Sequence, residues 1–321
     1  MNKPKLIVIC GPTATGKSDY AVKLAREING EVISADSRQI YRGMDIGSGK
    51  ITPTEMDGVP HYGLDIVDPT EEFSVAQYTQ YAQGVIADII TRGKTPILCG
   101  GTGFFIDAVI YDRQFPSVPP NAELRKKLDE QSAEELFPLL QERDPDRAET
   151  IDRHNKVRLI RALEIIEELG KVPPVTSSLG TGEVPKGRRG IKDKQNTPQS
   201  PAVDSSPTLG EQKISTLRET PESRYDAEII YIDKPDQELR ERIEKRLVMR
   251  LEQGMVDEVR NLHDQGVSWK RLESFGLEYR YIAEFLQDKI TYEKMIEEIK
   301  NKSWQYVKRQ RTWFKKYLVN K

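Results

Sequence analysis

The sequence predicts an α/β protein with a parallel sheet at its core, a small helical insertion and a C-terminal helical region. Three observations carry that prediction. Short apolar runs at residues 5–10, 31–35, 95–99 and 228–233 alternate with amphipathic helical stretches, as in a parallel sheet joined by crossover helices. The first run leads straight into a glycine-rich loop and then a helix. From Asp236 onward nearly all of the sequence reads as helix.

The loop is Gly11-Pro12-Thr13-Ala14-Thr15-Gly16-Lys17-Ser18, the pattern G-x-x-x-x-G-K-[ST] of a P-loop. Its glycines let backbone N–H groups converge on phosphate oxygens, Lys17 can reach the outer phosphates, and Ser18 offers a hydroxyl to Mg²⁺. The following helix adds the positive end of its dipole. Strand, loop and helix in that order make the core P-loop NTPase-like and imply a phosphorylated ligand.

The helix over 19–29 carries Tyr20, Ala21, Leu24, Ala25 and Ile28 on one side, with Gly30 as the expected stop. Residues 31–35 then deliver Asp36 and Ser37 to a strand end beside the P-loop, where ligands sit in open α/β sheets. Residues 38–50 are too polar and too glycine-broken for a core element, which suggests substrate contact. A helix from Ser74 to Gly93 precedes the strand 95–99, which closes on Gly100-Gly101-Thr102-Gly103. No aspartate ends this strand, which counts against an NTP hydrolase.

Residues 1–115 therefore read as the core and 116–155 as a charged helical insertion with helices at 122–130 and 132–143. Residues 156–175 read as a core helix with Val157, Ile160, Leu163 and Ile165 facing inward and Arg158 and Arg161 on a polar side. Residues 176–224 hold very few large apolar side chains, so a disordered polar linker is expected there. Residues 225–235 supply the last core strand, and 236–321 a helical region with helices at 239–253, 256–265, 279–286 and 292–317. The last of these interleaves Trp304, Tyr306 and Trp313 with Lys308, Arg309, Arg311 and Lys315, a mixture suited to phosphate contact and base stacking.

Composition removes several function classes. Charged residues make up 31% of the 321, and no apolar run approaches the roughly 18 residues of a membrane span. The opening Met-Asn-Lys-Pro enters the first strand without a targeting pattern, so a cytoplasmic protein is expected. Cys10 and Cys99 end apolar runs and make neither a disulfide framework nor a zinc site. The net charge of -2 gives no global nucleic-acid signature, so local clusters must carry any such contact.

Four stretches, Gly11 to Ser18, Ser34 to Gly47, Gly100-Gly101-Thr102 and Tyr306 to Phe314, together resemble the tRNA dimethylallyltransferase family over residues 5–318 apart from the polar stretch 176–224. The resemblance implies an enzyme that transfers a dimethylallyl group from dimethylallyl diphosphate to N6 of the adenosine next to the anticodon, with the anticodon stem-loop of tRNA as partner. It implies Asp36 as general base, Thr102 and Lys17 as further catalytic residues, the P-loop with Arg242 and Arg246 on the diphosphate, and Ser18 on Mg²⁺. The implied tRNA contacts are Asp36, Ser37, Arg38, Gln39, Thr102, Arg125, Val157, Arg158, Leu159, Ile160, Arg161, Phe275, Tyr279, Arg280, Lys308, Arg309, Gln310, Arg311 and Lys315. The insertion and the C-terminal region would then face tRNA, and a monomer is expected. One departure stands inside a motif: Glu278 occupies a position where the family more often has glycine.

Two other readings use the same residues. A nucleotide or nucleoside kinase would place ATP on the P-loop and let Asp36 deprotonate a hydroxyl, but no arginine-rich lid is evident. A non-catalytic RNA-binding protein switched by a nucleotide would bind RNA and make no prenylated product.

Overall fold

The computed structural model describes residues 3–174, 213–218 and 223–318. They divide into two compact units, one formed by residues 1–112 with 193–321 and the other by residues 113–192.

In the larger unit the chain runs β1 (Lys5–Cys10), α1 (Lys17–Ile28), β2 (Gly30–Ser34), α2 (Pro53–Met56), β3 (His61–Tyr62), α3 (Val75–Thr91), β4 (Thr95–Gly100) and α4 (Gly103–Ile110). The helical unit holds α5 (Ala122–Asp129), α6 (Ala133–Arg143), α7 (Pro145–Thr150) and α8 (Lys156–Leu169). The larger unit resumes with β5 (Lys213–Arg218), β6 (Asp226–Asp233), α9 (Asp236–Glu252), α10 (Met255–Asp264), α11 (Trp269–Phe275), α12 (Leu277–Leu286) and α13 (Tyr292–Leu318).

The strands lie in the order β3-β2-β4-β1-β6-β5. The first five are parallel: four are the apolar runs read from the sequence, β3 is an addition, and β5 is antiparallel to β6. The strand β5 corrects the expectation of disorder across 176–224: Lys213 stands opposite Asp233 and Arg218 opposite Glu228. Its order comes from backbone pairing with a sheet edge, which composition does not reveal. Residues 175–212 and 219–222 of that stretch lie outside the described residues.

Alternation along β1 builds both faces of the core. Leu6, Val8 and Cys10 pack with residues of α3 and α4 and with Phe314 and Tyr317 of α13, whereas Ile7 and Ile9 pack with Ala21, Val22 and Ala25 of α1. Burying each such aliphatic side chain stabilises the fold by about 1.5–3 kcal/mol. The helix α1 ends at Asn29 in the left-handed conformation, φ 54°, and Gly30 opens β2 instead of stopping the helix. The helix α3 starts where expected, because Ser74 and Gln77 form a reciprocal capping box. A separate core joins α9 to α13 through Leu247, Val259, Leu272, Ile282, Met295 and Ile299, and takes in Ile40, Tyr41 and Met44 from the polar loop.

In the helical unit, Leu128, Leu136, Leu140, Leu159, Leu163 and Ile166 form one cluster. The helix α8 thus belongs to this unit and not to the P-loop core, because its apolar stripe is covered by α5 and α6. Val157, expected to face inward, is 77% exposed. Among the described residues no helix is long and apolar enough to cross a membrane.

Candidate active site

The loop from Gly11 to Ser18 joins the end of β1 to α1 and reaches close to β6. Gly11 has φ 145°, and a Cβ there would lie 2.0 Å from the Ile232 carbonyl oxygen, so only glycine permits the approach. Gly16 is left-handed and caps α1 without a side-chain hydrogen bond, so the first amides of the helix remain available to an anion. Lys17 donates from Nζ to the Pro12 carbonyl at 2.6 Å. Burial above all, with the Arg246 cation adding to it, lowers the Lys17 ammonium below its ordinary value, against the opposing influence of Cys99 and Asp36.

The cleft above the loop has a volume of about 500 Å³. Its cationic wall comes from α9. Arg242 pairs with Glu238 at 2.9 Å, whereas Arg246 has no hydrogen-bond or ion-pair partner among the described residues. Burial, and then the neighbouring Arg250 cation, push Arg246 down to about 10, which still leaves it charged at neutral pH. A half-buried, unpartnered cation beside a phosphate loop is poised to gain from an anion.

The opposite wall carries Asp36, Ser37, Arg38 and Tyr306. Asp36 accepts the Arg38 amide on Oδ1 at 2.9 Å, and its Oδ2 accepts no hydrogen bond among the described residues. Thr102 accepts the Ser37 amide on Oγ1 at 3.1 Å, tying the β4 end to the β2 end. Arg38 and Arg309 lie over the Tyr306 ring, 5.9 and 5.8 Å from its centroid. Burial, and then the Asp36 charge, raise the Tyr306 phenol, so it stays protonated.

The polar loop before α2 is held by Glu258 and Arg250, to which the sequence does not point, and by Tyr279. Glu258 of α10 accepts amides from Asp45, Ile46 and Gly47 at 2.9, 2.6 and 3.0 Å. Tyr279 donates to the same carboxylate at 2.8 Å and accepts the Ser48 amide. Arg250 donates to the Gly47 carbonyl at 3.2 Å. A carboxylate at a helix start is unremarkable in sequence, and only the fold brings it to this loop.

Several residues expected to touch tRNA have other partners. Gln310 is buried: it accepts the Thr13 amide and donates to the Gly101 carbonyl, both at 3.0 Å. Tyr279 is fully buried, and Gln39 bonds Ser34 and the Gly49 carbonyl. Leu159 and Ile160 lie in the core of the helical unit, while Arg125 and Arg161 both bind the buried Glu164. Arg311 grips Asp233 through two nitrogens and also pairs with Asp236. In each case helical periodicity names the face but not the partner waiting on it. Phe275 packs against Tyr41 and Tyr279 beneath Arg271. Exposed side chains remain at Ser18, Val157, Arg158, Arg280, Lys308, Arg309 and Lys315.

The chain is similar to known proteins along nearly its whole length. The chain matches the family model described as IPP transferase over residues 39–317. It is 38% identical over 314 residues to a tRNA dimethylallyltransferase 1 of Syntrophus aciditrophicus, covering 97% of this chain and 89% of that relative. A tRNA dimethylallyltransferase of Caldanaerobacter subterraneus is 38% identical over 318 residues, covering 98% and 89%. The crystal structure of a full-length tRNA isopentenylpyrophosphate transferase from Bacillus halodurans is similar at TM-score 0.63 and 34% identity, covering 99% of this chain and 88% of the other. A eukaryotic dimethylallyltransferase solved acting on tRNA shares the fold at TM-score 0.68, with 24% identity and 97% and 70% coverage.

Proposed function

We propose a mechanism from the premise that the chain belongs to the IPP transferase family, whose model spans residues 39–317. It is a tRNA-prenylating transferase of the tRNA dimethylallyltransferase type. The donor is dimethylallyl diphosphate, and the acceptor is N6 of the adenosine next to the anticodon.

The observation that carries this reading is the cleft itself: the P-loop and Arg246 line it together with a carboxylate that keeps one oxygen uncommitted. Lys17, the α1 amides and the α9 arginines bind the diphosphate and stabilise the charge that grows on it as it departs. The adenine amine is a weak nucleophile because its lone pair is delocalised into the ring. As its nitrogen bonds to C1 of the prenyl group, the C1–O bond breaks with both electrons leaving on the diphosphate. The N6 proton passes to Asp36, a transfer worth on the order of 10² to 10⁴ in rate. Ser37, fixed by Thr102, and Arg38 border the place where the base enters after leaving its stack, at a cost of a few kcal/mol.

The donor set suits Mg²⁺: Ser18 presents an exposed hydroxyl in the first turn of α1, and Asp19 and Asp36 line the same cleft. Ser18 would hold the ion, with Asp19 and Asp36 near enough to add negative charge beside it. When bound, the ion adds charge neutralisation on the leaving group. A monomer in a cytoplasmic setting belongs to the same proposal.

Nucleoside mass spectrometry of an anticodon stem-loop incubated with dimethylallyl diphosphate and Mg²⁺ tests the reading, with an isopentenyl adduct on the adenosine as the expected product. Transfer of the γ-phosphate of ATP to a hydroxyl, with no adduct, would replace it with a kinase.

A further inference from the structure

Glu278, at the start of α12, lines the cleft with its side chain 13% exposed. Its carboxylate stands between two arginines: Arg38 Nη1 is 3.5 Å from Oε2, and Arg250 Nη1 is 3.6 Å from Oε1. Both distances are longer than a charge-assisted hydrogen bond, and Oε2 is buried without a hydrogen-bond partner. The arginines are held elsewhere, Arg38 by the Phe275 carbonyl and Arg250 by the Gly47 carbonyl. Glu278 is therefore not needed to fix either guanidinium. What it contributes is a negative charge among cations that face the phosphate loop.

We propose that Glu278 sets how tightly the cleft holds a diphosphate, weakening the field of Arg38, Arg246 and Arg250 so that product pyrophosphate can leave. The inference rests on the diphosphate reading of this cleft. A site that must both bind a diphosphate and release one gains nothing from maximal positive charge, because the product carries the group that the cations grip. One unit charge at a separation of several ångströms, partly screened, alters anion affinity about tenfold.

The test is calorimetric titration of the full chain with inorganic pyrophosphate and Mg²⁺. Glu278→Gln keeps the shape and removes the charge, so pyrophosphate should bind about tenfold tighter, with KM for the prenyl donor falling and product inhibition rising by a similar factor. Glu278→Asp keeps the charge and should return affinity toward wild type. Equal or weaker pyrophosphate binding by Glu278→Gln, with wild type binding normally, overturns the inference alone. Failure of wild type to bind pyrophosphate overturns the reading of the cleft and the inference with it. Should the single variant not fold, adding Glu278→Gln to an Arg250→Gln background must still tighten binding relative to Arg250→Gln, and no tightening there is equally fatal.

Discussion

In the helical unit Glu164 lies between Arg125 and Arg161, and in the cleft Glu278 lies between Arg38 and Arg250. The two clusters have the same composition and opposite construction. Glu164 is buried and saturated: it takes both guanidinium groups in direct hydrogen bonds and adds the Asn121 amide at 2.6 Å. Burial by itself would raise its carboxyl, but the bonds from Arg125, Asn121 and Arg161 outweigh it and hold the group below its ordinary value. Around Glu278 nothing is saturated, and nearby Arg246 and one oxygen of Asp36 also lack partners. Saturated groups hold a fold together, whereas unsatisfied ones next to a cleft mark where a ligand completes the structure.

The contrast breaks most visibly if Glu164→Ala fails to destabilise the helical unit. Leaving two arginines against a buried void should cost about 3–5 kcal/mol, read as a lower urea midpoint in circular dichroism. Because the folded carboxyl is held below its ordinary value of 4.5, that contribution is complete above it and fades as pH falls through the folded value. The difference between wild type and variant should therefore shrink in acid. An unchanged midpoint with lost tRNA affinity would make the saturated cluster a binding site after all.

Asp36→Asn is the counterpart in the cleft. It should slow single-turnover prenylation by at least about 10² while tRNA binding stays within a few-fold and the fold is unharmed. Near-normal turnover would remove Asp36 as the base.

Arg311 and Lys308 sharpen the same distinction within one helix. Arg311 is saturated by Asp233 and Asp236, so Arg311→Gln should lower stability by about 1–2 kcal/mol and leave the salt dependence of tRNA binding unaltered. Lys308 is exposed, and Lys308→Gln should make the log–log salt slope shallower by about 0.7 with only a small loss of affinity. Slopes that change for Arg311 and not for Lys308 would reverse the assignment.

The parallel strands, the P-loop and the position of Asp36 were legible because each is a local pattern: an apolar run, a spacing of glycines, a strand end. The strand β5 was not, since Lys213–Arg218 gains order only by pairing with β6. The helix α4 was hidden for a related reason. Of its residues Gly103 to Ile110 all but Phe104 are buried, so it shows no amphipathic period. At the site, the residue types were readable and their partners were not. Gln310 and Arg311 sit in a stretch rich in cations and aromatics, yet one faces the P-loop and the other a carboxylate, and Glu258 gave no signal at all.

The two bonds of Gln310 have a consequence for how the protein is made. They link position 310 to Thr13 and Gly101, 297 and 209 residues earlier, and a Cβ on Gly101 would come within 2.4 Å of the amide nitrogen. The phosphate loop is therefore synthesised well before the side chain that steadies it, which follows Thr13 by 297 residues. Until α13 is complete the nascent chain carries the motif without its brace, so a product terminated before α13 would hold the phosphate-loop sequence and not the finished loop.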